Sequence, residues 1–216
     1  MMLSARQDHH GARMTEAASA YETLPVEHMT PVVTPERARE LLSAPKFPRL
    51  ARFWHALRLN DPHLKAQPRK QECLWMPFYH VRIVMTARGE ESTLDTTVDS
   101  WSGSFAIVSF ESPIEDGLPP GEHFPPRMAP QEAESRAYQE LLHTVMRQRS
   151  RGSKPMPQTV ADSRLIYWPF WVIYIQKKRY LDLRLMDAVT AQPGGNRTKV
   201  GMLDAFTAAH ASTRKY

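Results

Sequence analysis

Twice along this chain a strand-forming aromatic run is interrupted at the same place by proline. Trp75-Met76-Pro77-Phe78-Tyr79 matches Tyr167-Trp168-Pro169-Phe170-Trp171. Two further landmarks keep the same order around each run. Thr34-Pro35-Glu36-Arg37-Ala38 upstream of the first matches Ala129-Pro130-Gln131-Glu132-Ala133 upstream of the second, and Val98-Asp99-Ser100 downstream matches Met186-Asp187-Ala188. Three landmarks in one order predict a duplicated helix-then-hairpin unit, hence an α+β fold. A proline inside a strand removes a ladder donor, so Pro77 and Pro169 are expected near strand starts, serving strand geometry rather than chemistry.

The elements follow from local pattern. Thr34 and Pro35 suit an N-cap and a first helical position. The helix they open carries Ala38, Leu41 and Leu42, and a second helix carries Leu50, Phe53, Trp54 and Leu57 at i, i+3, i+4, i+7. Aromatic and β-branched residues from Leu74 to Met85 predict a strand. A turn at Ala87 to Glu90, a strand over Thr93 to Val98 and a short strand over Phe105 to Phe110 follow. A longer helix opens at Pro130, with Ala133, Ala137, Leu141 and Val145 on one face and charges that suit its dipole. After a loop through Pro155 and Pro157, Ile166 to Ile175 is a strand, Lys177-Lys178-Arg179 its turn, and Tyr180 to Met186 its partner. Leu181, Leu183 and Leu185 alternate there with Asp182 and Arg184. Val200 to Phe206 reads as a last strand. The resulting division is a mobile tail over 1–30, a first unit over 31–111, a Pro-rich connector over 112–129, a second unit over 130–206 and a tail over 207–216.

A helix opening with Pro-x-x-Ala, an aromatic-x-Pro-aromatic strand and a strand ending Asp187-Ala188-Val189-Thr190 together resemble the small domains called PepSY. They are also similar to repeats in uncharacterised bacterial proteins with a YxPFW…DAxTG signature. The resemblance covers about residues 30–110 and 128–206. It implies a tandem pair of cystatin-like units, each with a helix (or helix pair) across a small antiparallel sheet, and it brings no catalytic residues. The chain departs from the pattern at Asp99-Ser100-Trp101-Ser102-Gly103, and at Ala191, where the glycine is expected.

At 216 residues the chain suits one large domain or two small ones. A net charge of +5 is spread over short separate runs, unlike the concentrated patch of a dedicated nucleic-acid domain. The single cysteine, Cys73, rules out an internal disulfide and a Cys-rich metal site. Residues 1–30 hold no apolar core of a signal peptide. The apolar run from Leu165 to Ile175 is short of the ~20 residues that cross a bilayer. Cytoplasmic location and no membrane insertion are therefore expected.

No catalytic, cofactor or metal constellation emerges. Cys73 and His80 differ by an odd number and face opposite sides of a strand. The nine histidines form no i, i+2 or i, i+4 pair on a predicted element. Asp99 and Asp187 invite an acid/base reading, but Asp commonly closes a strand by accepting from turn amides. The aromatic strand is apolar on both faces: Tyr167, Pro169, Trp171, Ile173 and Ile175 on one, Trp168, Phe170, Val172 and Tyr174 on the other. One helix covers one face. The other meets the other unit, a second chain or a ligand, and in the first unit it turns polar through His80 and Arg82. The reading is a non-enzymatic protein-interaction or assembly subunit, oligomeric or bound to another protein, touching its partner through Trp168, Phe170 and Tyr174. The alternative is a nucleic-acid module using the basic tip Lys177, Lys178 and Arg179.

Overall fold

The computed structural model describes residues 24–43, 68–110, 112–147, 154–176 and 181–213. In chain order these form strand β1 (Val26–Met29), helix α1 (Pro35–Ser43), strands β2 (Pro68–Ala87), β3 (Glu90–Asp99), β4 (Phe105–Ile107) and β5 (Ile114–Asp116), helix α2 (Pro130–Arg147), strands β6 (Met156–Gln176) and β7 (Leu181–Asp187), and helix α3 (Asn196–Thr213). The fold is mixed α/β. The expected helix over Leu50 to Leu57 and the basic tip Lys177-Lys178-Arg179 lie outside the described residues.

All seven strands belong to one sheet, ordered β4-β3-β2-β6-β1-β5, with β7 also paired to β6. The expectation of a small sheet in each half gives way to this continuous sheet. Its centre is the antiparallel ladder of β2 on β6, from Pro68↔Ile175 to Thr86↔Met156. Two strands of 20 and 21 residues would otherwise each leave a long apolar inner edge unpaired. On its outer edge β6 is shared. β1 runs parallel to it at Leu165 to Tyr167, and β7 runs antiparallel at Phe170 to Gln176.

Helices α1 and α2 lie on one face, here called the helical face. Helix α2 buries Ala133, Ala137, Leu141 and Val145, spaced one turn apart, against Val81, Ile83, Met85, Leu165 and Tyr167. Helix α1 starts where Thr34 Oγ1 accepts from Arg37 N (3.3 Å), and it buries Ala38 and Leu42 on Ile173, Ile175 and Met186. On the opposite face α3 packs Met202 and Ala205 over Leu74, Met76, Phe170, Val172, Leu183 and Leu185. No described helix is long and apolar enough to cross a membrane.

Several expectations are corrected. Val26–Met29, placed in the N-terminal tail, is β1, whose Met29 is buried. The Pro-rich connector contains β5, which pairs β1 through Glu27↔Asp116. Val200 to Phe206 is not a strand but the middle of α3, which also takes in most of the C-terminal tail. There Met202 and Ala205 are buried while Val200 and Leu203 are exposed, a helical period hidden inside an apolar run.

The prolines are mid-strand, because β2 begins at Pro68 and β6 at Met156. In a strand a residue's N–H and C=O point to the same side. Pro77 O accepts from Ser100 N (3.2 Å) and Pro169 O from Ala188 N (3.0 Å), so both prolines turn their missing N–H away from the central ladder. On that side the outer strands have already ended, at Phe78↔Asp99 and Phe170↔Asp187. No ladder acceptor is left without a donor, and mid-strand proline is tolerated.

Candidate interaction face

The two aspartates close their strands in the same way. Asp99 Oδ1 accepts from Trp101 N (2.9 Å) and Ser102 N (3.3 Å), and Oδ2 from Ser102 Oγ (2.5 Å). Asp187 Oδ1 accepts from Val189 N (2.8 Å), Thr190 N (3.1 Å) and the Trp168 indole N–H (2.9 Å). Four residues on from each aspartate the chain enters the left-handed region, at Gly103 (φ 64°) and Ala191 (φ 59°). These carboxylates hold turns, as their residue type suggests. Cys73 is half-buried opposite Trp171, and burial pushes its thiol up to about 11, away from a reactive thiolate.

Directly opposite residues in a sheet share a face, so the ladder registers map the side covered by α3. Its lower half, around Leu74, Phe170, Val172 and Leu185, is the apolar seat of that helix. Its upper half carries different chemistry. Arg82 lies between Asp95 on β3 and Asp162 on β6, and His80 lies between Thr97 and Arg164. Glu27, beside Ile166, and Asp116 extend the face across β1 and β5. Glu91 extends it along β3, opposite Thr86.

The charges there are partly paired. Arg82 Nε donates to Asp95 Oδ1 (2.9 Å), and His80 Nε2 donates to the same oxygen (2.8 Å). Burial pushes the Asp95 carboxyl up, but the hydrogen bonds from Arg82 and His80 outweigh it and hold it below its ordinary value. Arg164 donates to Glu27 (2.6 Å) and Asp162 (2.8 Å). His80 is 5% exposed, with Phe110 edge-on to its ring at 4.6 Å. Phe110 in turn tilts against Trp168 (6.2 Å), and Phe78 against Trp168 (5.9 Å). A half-buried aromatic cluster thus borders a charged field of five carboxylates (Glu27, Glu91, Asp95, Asp116, Asp162) and two guanidiniums (Arg82, Arg164).

Of the residues expected to touch a partner, Phe170 is buried beneath α3. Tyr174 is half-buried there and its hydroxyl donates to Glu72, and burial first, then that carboxylate, push its pKa up. The cover on the second face of the aromatic strand is therefore α3, with Phe124 of the connector and Trp101 of the first half packed in the same cluster. Trp168 alone of the three reaches the charged half. The basic-tip residues lie outside the described residues. Sequence reasoning registered His80 and Arg82 as a loss of apolarity but not as part of a field. Its other members come from β1, β3, β5 and β6, and only the register aligns them.

No protein-family model, curated protein or solved structure matches this chain.

Proposed function

We propose that this chain is a non-enzymatic protein-interaction subunit, built by duplication of one helix-then-hairpin unit, and that it docks its partner on the charged half of the α3-bearing face. Duplication is supported by the matched strand closures at Asp99 and Asp187, and by the common register of Phe78↔Asp99 and Phe170↔Asp187. It is also supported by the placing of α1 and α2 on one face. The PepSY-like resemblance rests on the same motifs.

The observation that carries the docking site is the unequal covering of one sheet face. One half is sealed by a helix, while the other presents half-buried Phe78, Phe110 and Trp168 beside a charged field. Aromatic anchors ringed by polar groups are the usual anatomy of an interface. Its test is hydrogen exchange on the complex isolated from the native source. Protection should concentrate on β2 and β3 around His80, Arg82 and Asp95. Turnover of a substrate by the purified chain, lost on His80→Ala, would overturn the reading.

A further inference from the structure

The geometry points to an arm exchange: each half of the chain lends a strand-and-helix arm to the hairpin of the other, so the molecule is a dimer made within one chain. The inference rests on the duplication in the reading above and adds how the two copies hold each other. It begins with a further matched segment. Val26-Glu27-His28-Met29-Thr30-Pro31 runs into Thr34-Pro35 as Gly121-Glu122-His123-Phe124-Pro125-Pro126 runs into Ala129-Pro130, in step and without a gap. Glu-His is kept in both. The first copy is β1 leading to α1, and the second leads to α2.

The two arms land on opposite hairpins. His28, of the first half, lies beside Tyr167 on β6 in parallel register, and its ring stands edge-on to Trp75 at 5.5 Å. His123, of the second half, lies beside Trp75 on β2, again parallel, and its ring stands edge-on to Tyr167 at 5.3 Å. Trp75 and Tyr167 each open an aromatic-proline run, so these are the same contacts with the halves interchanged. The residues that close the two runs repeat the pattern. The Tyr79 hydroxyl donates to Met128 O (2.7 Å) just ahead of α2, and the Trp171 indole donates to Val33 O (2.8 Å) at the same place ahead of α1.

The helices follow their strands. Helix α1, of the first half, packs on Ile173 and Ile175 of β6 and Met186 of β7. Helix α2, of the second half, packs on Val81 and Ile83 of β2 and reaches β3 and β4. Each helix also touches the long strand of its own half, but the hairpin it closes belongs to the other. Without the second arm, the buried Val81 and Ile83 would face water. Without the first, Ile173, Ile175 and Met186 would do so, and β6 would lose β1 from Leu165 to Tyr167. Apolar patches of that kind are not left open by a stable monomer. Neither half is complete alone, and once both have folded the covalent link through the connector is dispensable.

The test cuts the full chain after it has folded. A protease recognition sequence is inserted between Gly117 and Leu118, both exposed, and the purified protein is cleaved there. The two pieces should elute together at the size of the uncut chain and keep its far-ultraviolet circular dichroism. They should unfold in one urea transition whose midpoint now depends on concentration. Tenfold dilution is worth about 1.4 kcal/mol, so with a slope of about 2–3 kcal/mol/M the midpoint should fall by about 0.5–0.7 M, while that of the uncut chain stays in place. Pieces that part on the column and stay folded, or that unfold in two separate transitions, would overturn the inference. A second measurement uses the uncut chain and hydrogen exchange. Tyr79→Phe should speed amide exchange in α2 by about five- to tenfold more than in α1, and Trp171→Phe should favour α1 by a similar factor. Any other order would overturn the exchange. Where a partner docks is decided by the footprint of the native complex, so the exchange and the interaction reading fail separately.

Discussion

Replacing Asp99 with alanine tests whether the strand-closing carboxylates hold the fold. The side chain is 1% exposed. Alanine removes the acceptor for Trp101 N, Ser102 N and Ser102 Oγ. The hydroxyl keeps its bond to Ser104 Oγ at 2.8 Å, so two backbone donors lose their partner. A buried donor left unpaired costs about 1–3 kcal/mol, which puts Asp99→Ala at about 3 kcal/mol. With a urea slope of about 2–3 kcal/mol/M for a chain of this size, the unfolding midpoint should fall by about 1–1.5 M. Asp99→Asn keeps an oxygen before both amides and should cost about 1 kcal/mol. Urea titrations followed by far-ultraviolet circular dichroism measure both. An Asp99→Ala midpoint within about 0.2 M of the wild type would refute the reasoning, because the turn would then be held by its backbone bonds alone.

Four further outcomes are expected. Trp171→Ala should cost about 3 kcal/mol by the same titration, since it empties the space between α1 and β6 and removes the indole donor 2.8 Å from Val33 O. Ser100→Ala should leave the midpoint unchanged or raise it, because Ser100 Oγ is buried with no partner among the described residues and the matching position is already Ala188. Ala191→Gly should stabilise by about 1 kcal/mol, a melting temperature higher by roughly 2–4 °C, because alanine there holds a left-handed φ of 59°. The Asp95 carboxyl is held below its unfolded value, so its stabilisation is complete above about pH 4 and is lost as pH falls through the folded value. Urea midpoints measured from pH 6 down to pH 2 should therefore decline less steeply in Asp95→Asn than in the wild type.

Local pattern was enough for the elements whose signal is short-range. Thr34-Pro35 and Pro130 announce their helices because capping and fixed φ act within one turn. The alternation of Leu183 and Leu185 with Asp182 and Arg184 announces a half-buried strand because the pleat has a period of two. The turn role of Asp99 and Asp187 was legible for the same reason, since their acceptors reach only two or three residues on. Helix α3 was missed because Val200 to Phe206 is apolar at nearly every position. In such a run the buried positions Met202 and Ala205 are chosen by the sheet beneath, not by local preference.

Tertiary structure alone decided that the two hairpins join through β2 and β6, and that β1 inserts beside β6 from what reads as a tail. Strand pairing between distant segments depends on which edges meet, and no local periodicity encodes that choice. The charged half-face has the same origin. His80 and Arg82 could be read as polar, but their neighbours Asp95, Asp162, Arg164 and Glu27 reach them only through ladder registers spanning separate segments. A field is a sum over positions in space, and those positions exist only once the sheet is assembled.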